Sequence, residues 1–253
     1  MVLCRRRKEM TMTGIIGMIP ARGGSKRLPR KNIKIFLGKP LIAWTIEHAK
    51  NSKLLDRVVI STDDEEIAEI ARIYGAEVPF LRPKDLATDS SPTIDAVIHM
   101  LDWFEDKGMH FDIVALLEPT SPLRKCNDID GAIDLLIQNI DNADCIVSVG
   151  EVSHELPFFI MKLTSKGYLR PFTDKYLNFG DASHEMQKNE KCYFPYGGIY
   201  ISKTETLRRS RTFYGDKLIP YLVEKWQNYE MDDVYDYLCI EAIARYRLSS
   251  GSS

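Results

Sequence analysis

Residues 15–32 combine a short apolar run, a pair of glycines and a group of basic side chains. The run at 15–19 predicts a buried strand, and Gly23 and Gly24 let the backbone turn with its N–H groups exposed. Basic side chains surround this turn: Arg22, Lys26, Arg27, Arg30 and Lys31. Glycine amides and cations at a strand end suit a polyphosphate. We therefore predict a phosphate-binding loop, with an ordinary solvated loop as the alternative.

The spacing in this loop excludes two common phosphate-binding motifs. A P-loop requires Gly-x-x-x-x-Gly-Lys-Ser/Thr, whereas Lys26 follows Ser25 without that spacing. A dinucleotide-binding Gly-x-Gly-x-x-Gly pattern is also absent, because Gly23 and Gly24 are adjacent and the next glycine is Gly38. The sequence favours a phosphate ligand, but neither a P-loop NTPase nor a dehydrogenase.

Carboxylates are concentrated near the end of the chain, in residues 230–236. On an extended segment, residues i and i+2 share a face, so Glu230 and Asp232 could bind one divalent ion together with substrate phosphates and water. The alternative is that Asp232 or Asp233 caps the last helix and that Asp236 faces solvent. Both interpretations can hold, with Asp233 near the cap.

A second polar turn at 118–124 follows an apolar run and is stiffened by two prolines. It contains a carboxylate, two hydroxyls and an arginine: Glu118, Thr120, Ser121 and Arg124. On spacing alone, a rigid connection and a ligand-binding turn are equally compatible with this pattern. The chain has no Gly-x-Ser-x-Gly elbow and no His-x-x-x-His pair, so a hydrolytic triad is unsupported, and we expect His48 and His99 to be packing or surface residues.

Composition indicates a globular, enzyme-sized protein. The 253 residues are 44% hydrophobic, and the formal net charge of −2 argues against a nucleic-acid partner. The five cysteines are widely spaced without a Cys-x-x-Cys pair, which is typical of reduced thiols. No apolar stretch approaches the roughly 20 residues that cross a bilayer. We predict a soluble, cytoplasmic protein without a membrane partner.

Strands and helices alternate along the chain. Strands are predicted at 15–19, 57–61, 76–81, 113–117 and 145–149, and helices at 41–50, 62–74, 93–104, 128–139, 203–209 and 233–245. Continuous apolar strands alternating with helices predict an α/β fold with a largely parallel sheet covered on both faces. Ligands bind beyond the carboxyl ends of such strands. Four polar loops follow strands in this way: 22–32, 61–64, 82–91 and 118–124.

Residues 151–196 interrupt the alternation and are rich in Phe, Tyr, Lys and Pro without a clean helical period. A structureless insertion of this length is unusual in a compact domain. We therefore expect an arm or hairpin that packs on a partner subunit or over the site.

Four stretches resemble the acylneuraminate cytidylyltransferases, the CMP-sialic acid synthetases: residues 19–33, 58–68, 81–89 and 116–124. The resemblance runs in order from about Ile15 to Ala244. It implies a three-layer α/β/α nucleotidyltransferase fold, Rossmann-like, with a mixed and mostly parallel sheet. It also implies a homodimer that joins CTP to an acidic α-keto sugar with Mg²⁺ and releases pyrophosphate. The domain would span 14–248, with 151–196 as a dimerisation or sugar-site arm and with disordered ends at 1–13 and 249–253.

The resemblance also assigns site residues. The nucleotide would contact Arg22, Gly23, Gly24, Ser25, Lys26, Lys31 and Asn32 through its triphosphate, and Arg82, Asp89, Ser91 and Thr93 around cytosine and ribose. The sugar would lie near Glu118, Thr120, Ser121, Gln187, Lys191 and Tyr196. The metal carboxylates would be Glu230 and Asp232, and catalysis would depend on Arg22, Lys31 and Asp232.

Three positions depart from the family pattern. Glu118 replaces a glutamine, Glu230 an aspartate, and Tyr196 the asparagine of an Asn-Gly pair. The acceptor therefore stays open between sialic and legionaminic acids, which residues 86–89 and 119–122 favour, and pseudaminic acid, deoxyoctulosonate or a sugar phosphate. The role of Glu118 also stays open between a sugar contact and a base that accepts the proton of the sugar hydroxyl. A nucleotide-binding regulator without turnover is the non-enzymatic alternative.

Overall fold

A seven-stranded sheet forms the centre of the fold. The computed structural model describes residues 14–152, 160–172 and 191–250. The predicted N-terminal segment 1–13, the site residue Gln187 and positions 251–253 of the predicted tail lie outside the described residues.

The strands and helices are numbered here in chain order. The strands are β1 (Ile15–Pro20), β2 (Ile35–Phe36), β3 (Lys39–Pro40), β4 (Arg57–Ser61), β5 (Ile113–Leu116), β6 (Cys145–Val152), β7 (Met161–Leu163), β8 (Leu169–Pro171), β9 (Cys192–Phe194), β10 (Tyr200–Lys203) and β11 (Leu218–Leu222). The helices are α1 (Leu41–Lys50), α2 (Glu65–Ile73), α3 (Thr93–Glu105), α4 (Asp128–Gln138), α5 (Thr204–Ser210) and α6 (Val234–Ser249). Because α6 runs to Ser249, the first residue of the predicted tail is helical.

The main sheet has the strand order β11-β6-β10-β5-β1-β4, with β9 paired to β6. β1 is parallel to both β4 and β5, and β11 is parallel to β6. β10 runs antiparallel to β5 and β6. The predicted mixed, mostly parallel sheet is confirmed.

Side chains of β1 alternate between two cores, one on each face of the sheet. Ile15 and Ile19 pack with residues of α1, α2 and α4, whereas Ile16 and Met18 pack with residues of α3 and α5. All four are fully buried. This alternation follows from the two-residue period of a strand, and it produces three layers.

The predicted strand at 76–81 is wrong in extent. Its pairing with β4 is limited to one bridge, between Glu77 and Val59. Pro79 has no N–H to donate and therefore cannot continue the ladder.

The segment predicted as an arm contains regular structure where it is described. β7 and β8 form their own two-stranded antiparallel sheet, and β9 pairs with the end of β6. The hairpin exposes large apolar side chains, including Leu163, Tyr168, Leu169 and Phe172. An isolated two-stranded hairpin is only marginally stable in water.

Among the described helices, none combines the length and the apolar character needed to span a bilayer. Within the same residues, Cys126, Cys145, Cys192 and Cys239 are free thiols. His99 packs edge-on against Phe80 at 4.7 Å between ring centroids, which fits the predicted packing role.

His48 on α1 makes the fold sensitive to acid. Burial, together with the positive charges of Arg124 and Lys39, lowers the pKa of His48 to about 4. The unfolded chain, with an ordinary histidine pKa near 6.5, binds this proton first, so stability falls as the pH drops from about 6.5 to 4.

We expect His48→Gln to lose less unfolding free energy than the wild type between pH 7 and pH 4.5, by up to about 3 kcal/mol. Urea denaturation at a series of pH values measures the difference. His110→Gln is the control, because His110 is exposed. Parallel stability curves for His48→Gln and the wild type would contradict the assignment.

Candidate functional site

A polar pocket of about 540 Å³ opens at the carboxyl ends of β1, β4 and β5. Its lining brings together three of the four polar loops predicted from the sequence, at 22–32, 82–91 and 118–124, and the C-terminal acidic segment, whereas no residue of 61–64 lines it. The lining residues are Pro20, Arg22, Ser25, Lys26, Arg27, Leu28, Lys31, Asn32, Arg82, Leu86, Thr88, Asp89, Ser91, Thr93, Glu118, Pro119, Thr120, Glu230 and Asp232.

The first loop is held from below by the turn after β4. The N–H of Gly23 donates to Asp63 Oδ1 at 3.0 Å. A Cβ on Gly23 would lie 2.7 Å from a carboxylate oxygen of Asp64, so only glycine allows this approach. The buried Asn32 donates to the carbonyl of Arg22 at 3.0 Å and closes the loop. The Gly23 amide therefore holds the loop instead of pointing to a ligand.

Arg30 is an anchor of the same loop. Its backbone lies in the left-handed region, with φ of 55°, and its guanidinium pairs with Asp64 and Glu66. The carboxylate of Asp64 also accepts from the N–H of Ile67 and caps α2. Hydrogen bonding to Arg30 lowers the pKa of Asp64. The pairing fixes a backbone conformation that arginine rarely adopts.

Arg22 and Lys26 converge on the loop that precedes α3. Arg22 Nη1 donates to the carbonyl of Thr88 and pairs with Asp89, each at 2.9 Å, and Lys26 pairs with the same carboxylate. The hydrogen bond from Lys26 and the two positive charges lower the pKa of Asp89. Asp89 thus forms ion pairs with Arg22 and Lys26, two of the cations that the sequence predicts to bind a triphosphate.

Ser91 and Thr93 extend this second wall of the pocket. The Ser91 hydroxyl donates to the carbonyl of Asp85 at 2.6 Å and accepts from the Thr88 N–H at 3.2 Å, which braces the loop. Thr93 is the first residue of α3, so the positive end of that helix lies at the pocket.

Arg82 is a buried residue of the pocket lining, and its guanidinium contacts Ser61 at the end of β4. Its Nε donates to Ser61 Oγ at 2.9 Å, and Nη2 donates to the carbonyl of the same residue. Burial lowers the pKa of Arg82, with partial compensation from Asp63 and Glu118. The guanidinium is thereby fixed in place before any ligand arrives.

The acidic segment presents its carboxylates as the i and i+2 pattern predicts. Glu230 and Asp232 line the pocket, whereas Met231 between them is fully buried in a core with Leu28 and Leu41. Lys31 donates to Asp232 Oδ1 at 2.9 Å, so the first loop and the acidic segment meet there.

The start of α6 resolves the two interpretations of this segment. Asp233 caps α6 by accepting from the N–H groups of Tyr235 and Asp236. The carboxylate of Asp236 accepts from the N–H groups of Asp232 and Asp233 at 2.9 and 3.0 Å, so the expectation that it faces solvent is wrong. Asp233 and Asp236 cap the helix, and Glu230 and Asp232 face the pocket.

Two carboxyl groups in the pocket, those of Glu118 and Glu230, have raised pKa values. Burial and the nearby Glu230 raise the pKa of Glu118 to about 7, against the lowering effects of Arg124, Lys31 and Arg82. Burial and the charge of Asp232 raise the pKa of Glu230. The ionised forms of both carboxyl groups are therefore disfavoured in the pocket, and a nearby cation would stabilise them.

The donors here suit Mg²⁺. Glu230 and Asp232 supply two carboxylates beside a loop of phosphate-type cations, and Mg²⁺ is commonly bound by one or two carboxylates with substrate phosphates and water. Within the described residues, no group of three or more His, Cys, Asp or Glu side chains forms a metal site. The remaining ligands would come from outside the chain.

Several predicted site residues do not line the pocket. The Ser121 hydroxyl donates to the carbonyl of Tyr196 at 2.7 Å, and both residues lie behind the pocket wall. Lys191 pairs with Glu151 at 2.9 Å on the surface. Gly23 and Gly24 form the backbone of the loop without lining the pocket, and a Cβ on Gly24 would meet open space.

The structure adds pocket residues that the sequence reasoning did not assign to the site. Leu28, Leu86 and Thr88 line it, together with Arg27, which lies 3.6 Å from Asp232. Arg27 and Thr88 could have been found from the sequence, because they belong to the predicted polar loops 22–32 and 82–91. Leu28 and Leu86 could not, since an apolar residue in a loop resembles any packing residue.

We expect Asp89→Asn to bind tripolyphosphate about two- to fivefold more tightly, because Arg22 and Lys26 no longer pair with a neighbouring carboxylate. Calorimetric titration of both proteins measures the effect, and Asp85→Asn, a similar charge change in the same loop, is the control. Weaker binding of CTP by Asp89→Asn, with tripolyphosphate affinity unchanged, would instead indicate a ribose contact.

Comparison with known proteins gives consistent matches. The chain is 37% identical over 231 residues to CMP-N,N'-diacetyllegionaminic acid synthase of Legionella pneumophila, covering 90% of this chain and 95% of that protein. It is 33% identical to N-acylneuraminate cytidylyltransferase of Escherichia coli, covering 89% of this chain and 51% of that protein. A pseudaminic acid cytidylyltransferase of Campylobacter jejuni is 48% identical over 122 residues, which are 48% of this chain and 53% of that protein. The matched region thus covers about half the length of each of the last two proteins.

A solved structure of similar fold is a CMP:2-keto-3-deoxy-manno-octonic acid synthetase complexed with CTP. It superposes with a TM-score of 0.65 at 17% identity, covering 92% of this chain and 99% of that chain. At that identity the likeness concerns the fold. Residues 16–156, more than half of the chain, match the sequence model named Cytidylyltransferase. The chain therefore belongs to the cytidylyltransferase family.

Proposed function

We propose that this protein transfers CMP from CTP to the anomeric hydroxyl of a nine-carbon acidic α-keto sugar of the sialic or legionaminic type and releases pyrophosphate. One observation carries the proposal: the Lys31–Asp232 contact places the phosphate-type loop and an acidic pair in a single pocket. The names of the legionaminic and neuraminic relatives support the acceptor.

The chain's cations would bind and orient the triphosphate. Arg22 and Lys26 would exchange Asp89 for phosphate oxygens, while Lys31 would stay near the acidic pair. Catalysis of this kind consists mainly of positioning and charge neutralisation. Arg82, fixed against Ser61, would support the cytosine and ribose side together with Ser91 and Thr93.

Glu230 and Asp232 would hold Mg²⁺. When bound, the ion would neutralise phosphate oxygens and lower the pKa of a coordinated hydroxyl. Glu118 lies near Glu230 in the pocket lining and would face the acceptor. A carboxyl group with a pKa near 7 is suited to accept the proton of the hydroxyl, which gives Glu118 a second possible role.

A second acceptor is favoured by a specific observation. The pseudaminic acid cytidylyltransferase matches 122 residues at 48% identity, which is higher than the identity to the legionaminic relative over 231 residues. Pseudaminic acid therefore belongs in any test of the acceptor.

Purified protein with CTP and Mg²⁺ should release pyrophosphate with sialic or legionaminic acid. Asp232→Ala should lower the rate roughly 100-fold or more, because a bound metal stabilises the transition state by several kcal/mol. Glu241→Ala is the control, since Glu241 is on α6 but does not line the pocket. A coupled pyrophosphate assay across sialic, legionaminic, pseudaminic and deoxyoctulosonic acids and sugar 1-phosphates identifies the acceptor.

Each failure of this assay has a distinct meaning. Turnover only with a sugar 1-phosphate would overturn the α-keto acid acceptor. Tight CTP binding without turnover on any acceptor would favour a regulator. Full activity of Asp232→Ala would remove Asp232 from the metal site.

We further propose that the β7–β8 hairpin packs on a second copy of the chain. Leu163 and Leu169 are cross-strand neighbours and are 71% and 60% exposed, and Tyr193, Phe194 and Leu222 add exposed apolar surface on β9 and β11. Burial of such surface stabilises association.

The double variant Leu163→Glu, Leu169→Glu should therefore be monomeric at concentrations where the wild type is a dimer. Sedimentation velocity distinguishes the two states. Ile73→Glu on α2 is the control, since Ile73 is 74% exposed. A monomeric wild type, or a dimeric double variant, would contradict this interface.

A further inference from the structure

The carboxylate of Glu230 lies between two residues that are held by one turn. Thr120 Oγ1 donates to Glu230 Oε1 at 3.1 Å. Gly197 faces the same carboxylate, because a Cβ on Gly197 would lie 3.3 Å from the Glu230 carboxyl carbon and both of its oxygens. We call Thr120 and Gly197 the carboxylate socket.

A second contact fixes the backbone next to Glu230. The N–H of Met231 donates to the carbonyl of Thr120 at 2.8 Å. Met231 is fully buried, so its side chain sets the direction of the neighbouring carboxylates. Thr120 therefore holds Glu230 through its side chain and the segment of Glu230 through its backbone.

The Gly197 side of the socket is fixed by the same turn. Ser121 Oγ donates to the carbonyl of Tyr196, and Arg124 Nε donates to the carbonyl of Gly198, each at 2.7 Å. Gly197 between them has φ of 61°, a conformation that suits glycine. A side chain there would be strained and would also crowd Glu230.

We propose that Thr120 is a positioning residue that orients Glu230 for metal binding and that it does not act as a sugar contact. The inference deepens the proposed function and rests on Glu230 being a metal ligand. Hydrogen bonds to ligating carboxylates set their orientation, and the loss of such a partner commonly weakens metal binding by 10- to 100-fold.

If Thr120 positions Glu230, removing its hydroxyl should change the metal requirement and leave binding of the sugar nearly unchanged. Without the Thr120 hydroxyl, the Glu230 carboxylate can rotate, so more metal is needed for the same occupancy. Binding of the acceptor at saturating metal should change little. A sugar contact at Thr120 would produce the opposite result, with a raised KM for the sugar and an unchanged metal requirement.

Thr120→Val removes the hydroxyl at nearly constant shape, and Thr120→Ser keeps it. We expect Thr120→Val to raise the half-saturating Mg²⁺ concentration about tenfold and to regain most of its kcat at high Mg²⁺, while the sugar KM stays within about twofold. Thr120→Ser should stay within about twofold of the wild type in all three quantities.

A measurement without turnover separates this proposal from the proposed function. Water-proton relaxation with Mn²⁺ and CTP, but no sugar, reports metal bound at the protein. The Mn²⁺ affinity should fall about tenfold for Thr120→Val and be restored in Thr120→Ser. No relaxation enhancement with the wild type would overturn the metal and CTP assignment itself. Equal Mn²⁺ affinities for Thr120→Val and the wild type, both folded by thermal melting, would overturn the socket alone.

Discussion

The buried guanidinium of Arg124 is the interaction on which the geometry of the site depends. Arg124 is 7% exposed and donates to the carbonyl of Gly198, to the hydroxyl of Thr45 on α1 and to the carbonyl of Glu118. Burial lowers the pKa of Arg124 to about 10, so it remains charged at neutral pH. A buried charge without its acceptors costs about 3–5 kcal/mol. Arg124 therefore holds the turn at 118–124 against α1 and against the segment that contains Gly198.

This rigid turn connects parts of the chain that are far apart in sequence. Its Thr120 meets the acidic segment before α6, and its Ser121 meets the strand entry at Tyr196. The acidic segment in turn reaches the first loop through Lys31 and Asp232, which are 201 residues apart. The turn thus contributes to bringing the two ends of the domain together at the pocket, beside the apolar cluster that Leu28 and Leu41 form with Met231.

Local patterns were sufficient for most of the fold. The predicted bounds of α1 and β4 agree with the structure, because their apolar residues follow one period without interruption. β11 was not predicted. Its central Pro220 is typical of the end of a strand in a sequence pattern. β11 is an edge strand, however, where the missing N–H of a proline is tolerated.

The sequence was enough to predict which loops form the site, but not which residues pair with each other within it. The predicted loops at 22–32, 82–91 and 118–124 line one pocket, as the rule for parallel sheets requires, whereas the turn at 61–64 does not line it. The sequence grouped Arg30 with the phosphate cations, whereas its charge is used by Asp64 and Glu66. Such pairings depend on the distance between separate loops, which no local pattern encodes. For the same reason Ser121 and Arg124 could be placed in a polar turn, but not assigned to backbone carbonyls at 196 and 198.

Glu118 stands where the resemblance implies a glutamine, and this difference would have a physical consequence for an acidic acceptor. An ionised Glu118 beside Glu230 would repel the carboxylate of the sugar, whereas a protonated Glu118 presents one donor and one acceptor, as glutamine does. Its pKa of about 7 lies between these cases, and Glu230 is one cause of the increase. A cation on Glu230 would weaken the repulsion between Glu118 and Glu230 and lower the pKa of Glu118 toward its ordinary value. On the proposed function, metal binding and acceptor binding would therefore be coupled through this pair of carboxyl groups, and a glutamine at 118 would remove the coupling.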